Sequence, residues 1–273
     1  MNWKRYMKLI FIIASIAALL GIILMICGWT MGAKDGFAIT KNGFQLIDRH
    51  AVPSPSQSPN TPAAPEQNID SFHSVKLQIG DRNLTFVKSN SYGISIDSPY
   101  DGQSAFQVIN GVLTNRNNGE RFSWQLPNAS VNQQTITIFY PDNADFRTIE
   151  IDADGGNIQL SEIIANHISI EQDYGKIDLS DLSTNQLSVE SDSGNITATG
   201  LLEGKVEIES DAGDIIIHAT QTEDAYQYNC QSESGEIMIN GTGAGHRIVH
   251  GNNRENRWDI QSEHGTITLD FAR

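Results

Sequence analysis

The chain has 273 residues, enough for one or two domains, with 39% apolar residues, 19% charged residues and 23 glycines. Its formal net charge of -15 repels phosphate backbones, which argues against nucleic acid as a partner. The two cysteines, Cys27 and Cys230, are too few and too far apart for a disulfide framework or a zinc site.

A membrane-spanning helix is predicted close to the start of the chain. Residues 9–29 read LIFIIASIAALLGIILMICGW and carry no charge, and a helix of this length is about 31 Å long, which spans one hydrocarbon core. Three cations lie in residues 1–8 and no acidic residue precedes Asp35, so residues 1–8 are expected in the cytoplasm and the following chain outside. A cleaved signal peptide is the alternative, but its apolar core would be unusually long. We therefore expect an uncleaved signal-anchor in the cell membrane.

A flexible tether is predicted after the anchor, within a juxtamembrane segment at residues 30–68. Residues 50–68 read HAVPSPSQSPNTPAAPEQN and contain five of the eight prolines of the chain. Such a composition buries nothing and favours polyproline II, with a reach of up to roughly 60 Å.

A repeat determines the predicted fold of residues 69–273. Six segments share one pattern of two apolar alternations around a glycine: IEIDADGGNIQL, ISIEQDYGKIDL, LSVESDSGNITA, VEIESDAGDIII, YNCQSESGEIMI and WDIQSEHGTITL. The aligned turn glycines are Gly156, Gly175, Gly194, Gly213, Gly235 and Gly265. Each unit predicts two short strands, each with one buried face, joined by a tight turn, and stacking buries that face on the next unit. The predicted fold class is all-β, a parallel β-solenoid or β-roll with coils of about 19 residues.

Looser alternation upstream, at 75–86, 92–96, 106–115 and 135–141, is expected to form the opening coils, which gives about ten coils in all. The last repeat ends close to Arg273. We expect it to form an uncovered terminal coil, whose unpaired backbone groups would support weak self-association.

The run TITIFYPDNADFRTIEIDADGGNIQL, followed by the SGNIT, AGDIII and SGEIMI repeats, resembles DUF4097, a bacterial β-strand-repeat family of unknown function whose label proposes an adhesin. Pro141, Asn143 and Ala144 match the step that precedes the first clean repeat in that family. The resemblance covers about residues 70–273. It implies a β-solenoid surface domain of a bacterial envelope, often carried on an N-terminal anchor, and it implies no catalytic residues.

Two candidate sites follow from the residues. The acids two positions before the first four turn glycines are Asp154, Asp173, Asp192 and Asp211. Stacking would place them in a ladder of like charges with raised pKa values, which could hold calcium, or each carboxylate could cap its own turn by accepting backbone N–H groups. The second candidate is a basic loop in the last insertion, with Arg247, Arg254 and Arg257, which could bind an anionic glycan or headgroup or could be an ordinary solvated loop.

Three functions are compatible with this pattern. The first is non-enzymatic binding or adhesion to a wall or surface polymer through the flat strand faces. The second is an accessory role in envelope-stress signalling through a membrane protein partner. The third is a carbohydrate-active enzyme with carboxylates on a groove. No catalytic motif or cofactor-binding motif occurs, and the first function is preferred.

Overall fold

The computed structural model describes residues 36–40, 43–47, 67–97, 106–115 and 134–273. The predicted anchor at 9–29 and most of the proline-rich segment lie outside these residues. Among the residues described, no helix is long and apolar enough to cross a bilayer. The chain divides into two compact units. The first contains an antiparallel hairpin of β1 (Gly36–Thr40) and β2 (Gly43–Ile47).

The second unit is a 19-stranded sheet. In the described part of this unit one 3-10 turn, at Glu223–Ala225, interrupts the strands. Its strands are β3 (Gln67–Asn68), β4 (Ser74–Gln78), β5 (Asn83–Lys88), β6 (Gly93–Ile96), β7 (Phe106–Ile109), β8 (Val112–Asn115), β9 (Thr135–Tyr140), β10 (Phe146–Ala153), β11 (Ile158–Ser161), β12 (Ile164–Tyr174), β13 (Ile177–Ser193), β14 (Ile196–Ala212), β15 (Ile215–Thr222), β16 (Gln227–Ser232), β17 (Ile237–Ile239), β18 (Thr242–Gly243), β19 (Arg247–His250), β20 (Arg257–His264) and β21 (Ile267–Ala272).

The repeats stack as parallel strands, as the sequence pattern predicts. Equivalent apolar positions pair directly, so that Ile149 lies beside Ile168 and Ile168 beside Leu187. Within each strand the apolar residues of the alternation are buried and the residues between them face outward, because successive side chains point to opposite faces. Each coil therefore buries its apolar face on the coils above and below it.

Eight layers are present in the described residues, and not the roughly ten predicted. The first-strand positions stack in the order Leu113, Val75, Ile149, Ile168, Leu187, Val206, Trp258 and Tyr228. The second-strand positions stack in the order Ile136, Leu84, Ile158, Ile177, Ile196, Ile215, Ile267 and Ile237. The layers at both ends thus follow an order that differs from the order of the sequence.

The prediction of an uncovered last repeat is wrong. The coil of β20 and β21 lies second from the end, between the coil of β14 and β15 and the coil of β16 and β17. The long spacing before Gly265 supplies the chain that crosses over the β16 layer and returns. The first coil, β4 and β5, is enclosed in the same way at the other end.

Short antiparallel strands close both ends of the sheet. At the C-terminal end β19 pairs with β16 and β18 with β17. At the N-terminal end β7 pairs with β8, β6 with β9 and β3 with β6. The sheet edges are therefore strands of two to four residues rather than whole coils.

The pairing of β13 and β14 shifts register at the corner that follows Leu179. Leu182 is paired with Gly200, so that Leu201 lies beside Ser183 and the inward leucine of that layer is Leu202. A β-bulge absorbs the extra residue. The equal 19-residue spacing of Leu182 and Leu201 therefore does not make them structural equivalents.

Candidate functional site

The four candidate calcium ligands lie at successive turns along one edge of the stack. Asp154, Asp173, Asp192 and Asp211 are all exposed. In the described part of the chain no three His, Cys, Asp or Glu side chains come together in an arrangement that could hold a metal ion. The four aspartates therefore remain a ladder of single carboxylates and do not converge on one point.

Asp154, the first carboxylate of this ladder, has a raised pKa. Partial burial raises the pKa of its carboxyl, and the charges of Asp81, Asp173 and Asp152 raise it further. The Tyr174 hydroxyl donates to Asp81, and the tyrosine pKa is raised by this hydrogen bond and by burial. The hydrogen bond from the Tyr174 hydroxyl thus offsets part of the negative charge at Asp81.

In three turns the residue after the glycine, and not the preceding acid, holds the turn of the neighbouring layer. Asn157 Oδ1 accepts the backbone N–H of Lys176 at 3.1 Å, and Asn195 Oδ1 accepts that of Asp214 at 3.0 Å. Asp214 Oδ1 continues the ladder by accepting the N–H of Thr266 at 2.8 Å. Among the hydrogen bonds of the described residues, none joins the four ladder aspartates to a turn N–H. The interpretation of these acids as turn caps is therefore not supported.

Buried polar side chains also lie on the inside of five turns. The residue three before the glycine is buried in five layers: Gln172, Ser191, Ser210, Ser262 and Ser232. Gln172 donates to the carbonyl of Gly156 in the neighbouring layer at 2.7 Å, and Ser232 donates to that of Gly265 at 2.9 Å. The hydroxyls of Ser191, Ser210 and Ser262, which lie in the layers between these two residues, have no hydrogen-bond partner in the structure. Sequence reasoning missed this column, although a serine at a fixed distance before the glycine signals it.

The C-terminal end carries the densest polar cluster outside the turns, centred on Glu223 in the 3-10 turn. One oxygen accepts the Tyr228 hydroxyl at 2.6 Å and lies 3.6 Å from His250 Nδ1, while the other accepts the Asn240 side-chain amide at 3.3 Å. The rings of Tyr228 and His250 stack with centroids 4.9 Å apart. Burial raises the pKa of the Tyr228 hydroxyl, and Glu223 raises it further. Glu223 therefore connects β16, the β17–β18 turn and β19.

A shallow cavity of about 590 Å³ lies beside this cluster. It is lined by Thr222, Glu223, Asp224, Asn240, Asp270, Phe271, Ala272 and Arg273. His218 Nδ1 lies 3.2 Å from Asp270 Oδ2 at its side. Three carboxylates against one guanidinium make the cavity a poor site for an anion.

The three predicted arginines occupy the same end of the stack but do not converge. Arg247 lies on β19 opposite Gln231, whereas Arg257 begins β20 beside Gln227, four strand positions away or about 13 Å. Arg254 lies in the loop before β20. All three are exposed, and none makes an ion pair or hydrogen bond within the described residues. They form a broad cationic rim rather than a pocket.

The acidic columns change character toward this rim. On the outward face of the first strands, Glu190 is followed by Glu209, then Gln261, Gln231 and finally Arg247. A parallel column runs through Glu207, Asp259, Asn229 and Val249. In these two columns the outermost coil thus carries neutral side chains, and the strand that covers it carries Arg247 and Val249.

The chain matches one family model and is similar to solved structures. The model of the family described as Toastrack DUF4097 matches residues 72–248. A solved structure of a proposed cell adhesion protein from Clostridium sporogenes is similar, with 14% identity, a TM-score of 0.38 and coverage of 78% of this chain and 97% of that one. A proposed adhesin from Bacteroides fragilis is similar at 14% identity, with a TM-score of 0.33 and coverage of 75% and 94%. No curated protein matches the sequence.

Proposed function

The chain belongs to the Toastrack DUF4097 family, and we propose that it is a membrane-anchored, extracytoplasmic, non-enzymatic binding protein of the adhesin type in a bacterial envelope. The proposal joins the uncharged stretch at 9–29, read as a single-pass anchor with its N-terminus in the cytoplasm, to the stacked sheet at 69–273. The binding partner in this proposal is a wall or surface polymer.

The position of the chain entry carries the proposal. The first strand of the stack, β3, lies at the N-terminal end, whereas β16 to β19 form the opposite end. An anchor and a tether that precede β3 would attach at the N-terminal end. The C-terminal end, with its cationic rim and its shallow cavity, is then the part that is free to meet a partner.

The flat strand faces also favour binding over catalysis. The ladder carboxylates are exposed on a regular surface with no loop walls around them in the described residues. A glycosidase needs two carboxylates placed on opposite sides of a bound sugar. A surface of repeated side chains about 4.8 Å apart suits repeated contacts with a long polymer.

Co-pelleting with purified cell-wall sacculi tests the proposal. The full-length chain in detergent is mixed with sacculi, with and without calcium, and the bound fraction is measured after centrifugation. We expect saturable binding, and calcium dependence would support the aspartate ladder as a cation site. No binding in either condition would contradict the polymer partner, and cross-linking of the anchored chain in cells would then identify a membrane protein partner.

The cationic rim is tested in the same assay. Replacing Arg247, Arg254 and Arg257 together by Ser is expected to weaken binding to an anionic polymer. The matched control removes three cations elsewhere on the stack, at Lys76, Arg147 and Lys176. Equal loss in both triple variants would mean that net charge, and not the rim, determines binding.

A further inference from the structure

We propose that the free edge of β19 is a docking site for an extended partner segment with alternating acidic and apolar side chains, which adds to the sheet as one more strand. The proposal goes beyond the adhesin-type function, because it names a peptide partner and holds whether or not the chain binds a wall polymer. It rests on the backbone pairing, the side chains and the charge of the C-terminal end.

The pairing of β19 leaves a defined set of backbone groups unused. Ser232 N–H donates to the carbonyl of His246 at 2.9 Å, which makes these two residues a hydrogen-bonded pair. Bonded pairs alternate along an antiparallel ladder, so Ile248 and His250 also bond to β16. Arg247 and Val249 then point their N–H and C=O groups away from β16. Within the described residues the residue-by-residue pairing of β19 is with β16, while β18 pairs with β17 and β20 with β14 and β16.

The side chains of the same two residues are also free. Val249 is 62% exposed, the highest value among the large exposed apolar residues described. Arg247 is exposed and makes no ion pair or hydrogen bond among the residues described. β19 is short and carries one exposed charge at Arg247, but a proline, a bulge and an inward-pointing charge, which also block edges, are missing from this strand.

The side chains of β19 that face inward are fixed by contacts with the stack. Ile248 packs against the core, and the His250 ring stacks on Tyr228 and lies beside Glu223. An edge fixed in this way is pre-organised for strand addition. Backbone bonds supply affinity in that mode, and alternate side chains supply specificity.

Charge complementarity determines the kind of segment. Arg247 lies on the edge strand itself, Arg254 lies in the loop that leads away from it and Arg257 begins β20 on the other side of β16. The outermost coil beneath β19 presents neutral side chains at Asn229 and Gln231. An acidic side chain opposite Arg247 gains an ion pair, whereas a basic segment is repelled. A second copy of the chain would bring two cationic rims together. The other four-residue edge, β7, exposes Ile109 but has no arginine in its strand.

A blocked hexapeptide of alternating Asp and Val, carrying a fluorescent label, is the probe. Its binding to the full-length chain in detergent is followed by fluorescence anisotropy at low and high salt. We expect saturable binding that weakens with salt, because the rim is exposed and screened. The matched control peptide carries Lys in place of Asp and is expected not to bind. Equal binding of the two peptides would overturn the proposal.

Val249→Pro tests the edge itself. The substitution removes an N–H that points away from β16, so it breaks no existing bond, and proline is tolerated at this kind of edge position. We expect about tenfold weaker peptide binding and an unchanged unfolding midpoint. If the variant unfolds, a second measurement is made on the wild-type chain, whose binding to a peptide N-methylated on alternate residues is compared with its binding to the unmethylated peptide. Unchanged affinity with that peptide would overturn the proposal.

Two further outcomes separate this proposal from its neighbours. If the chain alone dimerises in sedimentation and Val249→Pro abolishes the dimer, the occupant is a second copy and the partner proposed here is wrong. Sacculus binding without peptide binding overturns the docking site and leaves the adhesin-type function standing. Peptide binding without sacculus binding supports the docking site and contradicts the wall polymer as the partner in the adhesin-type function.

Discussion

The stacked turn glycines give the sharpest test of the fold, and Gly194→Ala is the most informative change. A Cβ built on Gly194 would lie 1.8 Å from the carbonyl oxygen of Gly175 in the neighbouring layer. The obstacle is backbone, which is itself bonded into the stack and cannot swing away. Gly194 also has φ of +135°, a region that L side chains rarely adopt.

Two costs add at this position. A backbone angle of this kind costs of order 1–3 kcal/mol for a residue with a Cβ. Overpacking against fixed atoms costs about 1–3 kcal/mol more. The sum is about 4 kcal/mol, which corresponds to a decrease in Tm of roughly 8–16 °C for a unit of this size.

The assay is urea unfolding of the full-length chain, followed by far-UV circular dichroism at the β-sheet band. The matched control is Gly241→Ala, where φ is +76° but no atom lies within 4 Å of the added Cβ. We expect a loss of about 1 kcal/mol in the control, since only the backbone angle opposes the change. If Gly194→Ala costs no more than the control, close approach of the layers does not explain the glycine column.

Three other changes test separate parts of the structure. Ser232→Ala removes two hydrogen bonds and should lower the free energy of unfolding in urea by about 1–2 kcal/mol. Ser210→Ala removes a hydroxyl without a partner and should leave that free energy nearly unchanged. Equal losses in the two variants would contradict the hydrogen bonds assigned to Ser232. Asp154→Asn should stabilise the fold at pH 7 and not at pH 3. In the wild-type chain the Asp154 pKa is raised above 3.8 by folding, so the folded state binds a proton that the unfolded state has released, and stability falls as the pH rises from 3.8 through the folded pKa. A pH-independent effect in thermal unfolding would refute this account. In a Cys27→Ser background, Cys230 should resist a thiol reagent at pH 8 until the chain unfolds, because burial raises its pKa to about 12; rapid labelling of the folded chain would refute its burial.

The sequence predicted the repeating unit well, because the unit depends on local chemistry. The alternation around Gly175 and Gly194 predicts strand, turn and strand, and the structure confirms both the strands and their parallel stacking. The PDNA step at 141–144 forms a turn in which the Ala144 N–H donates to the carbonyl of Pro141 at 2.9 Å. These features each depend on a few neighbouring residues.

The order of the layers could not be predicted in the same way. Val206, Tyr228 and Trp258 begin repeats with the same pattern, and a pattern shared by all repeats carries no information on which repeat lies beside which. The rings of Tyr228 and Trp258 both stack on Phe271. The ring centroid of Tyr226 lies 4.3 Å from that of Trp258. This packing becomes visible only when the chain crosses over itself.

The candidate site was predicted in part. The exposure of Arg247, Arg254 and Arg257 agrees with a surface loop. However, Arg247 and Arg257 lie on two different strands, so the three side chains do not converge on one ligand. The free edge of β19 depends on the crossing of the chain, so no local motif indicates it. The membrane anchor and most of the tether fall on residues outside those described, so they stay predictions, as do the partners.

The enclosed position of the last strands has a consequence for how the unit is made and how it yields to force. A repeat array with layers in sequence order can lose its last repeat and keep the remainder. Here, removal of residues 257–272 would take out the layer between Val206 and Tyr228 and leave a gap within the stack. On the ribosome, the β16 layer cannot reach its final neighbour until β20 and β21 have emerged. A pull on the C-terminal strands must likewise separate two interfaces at once, which protects that end from being peeled away one strand at a time.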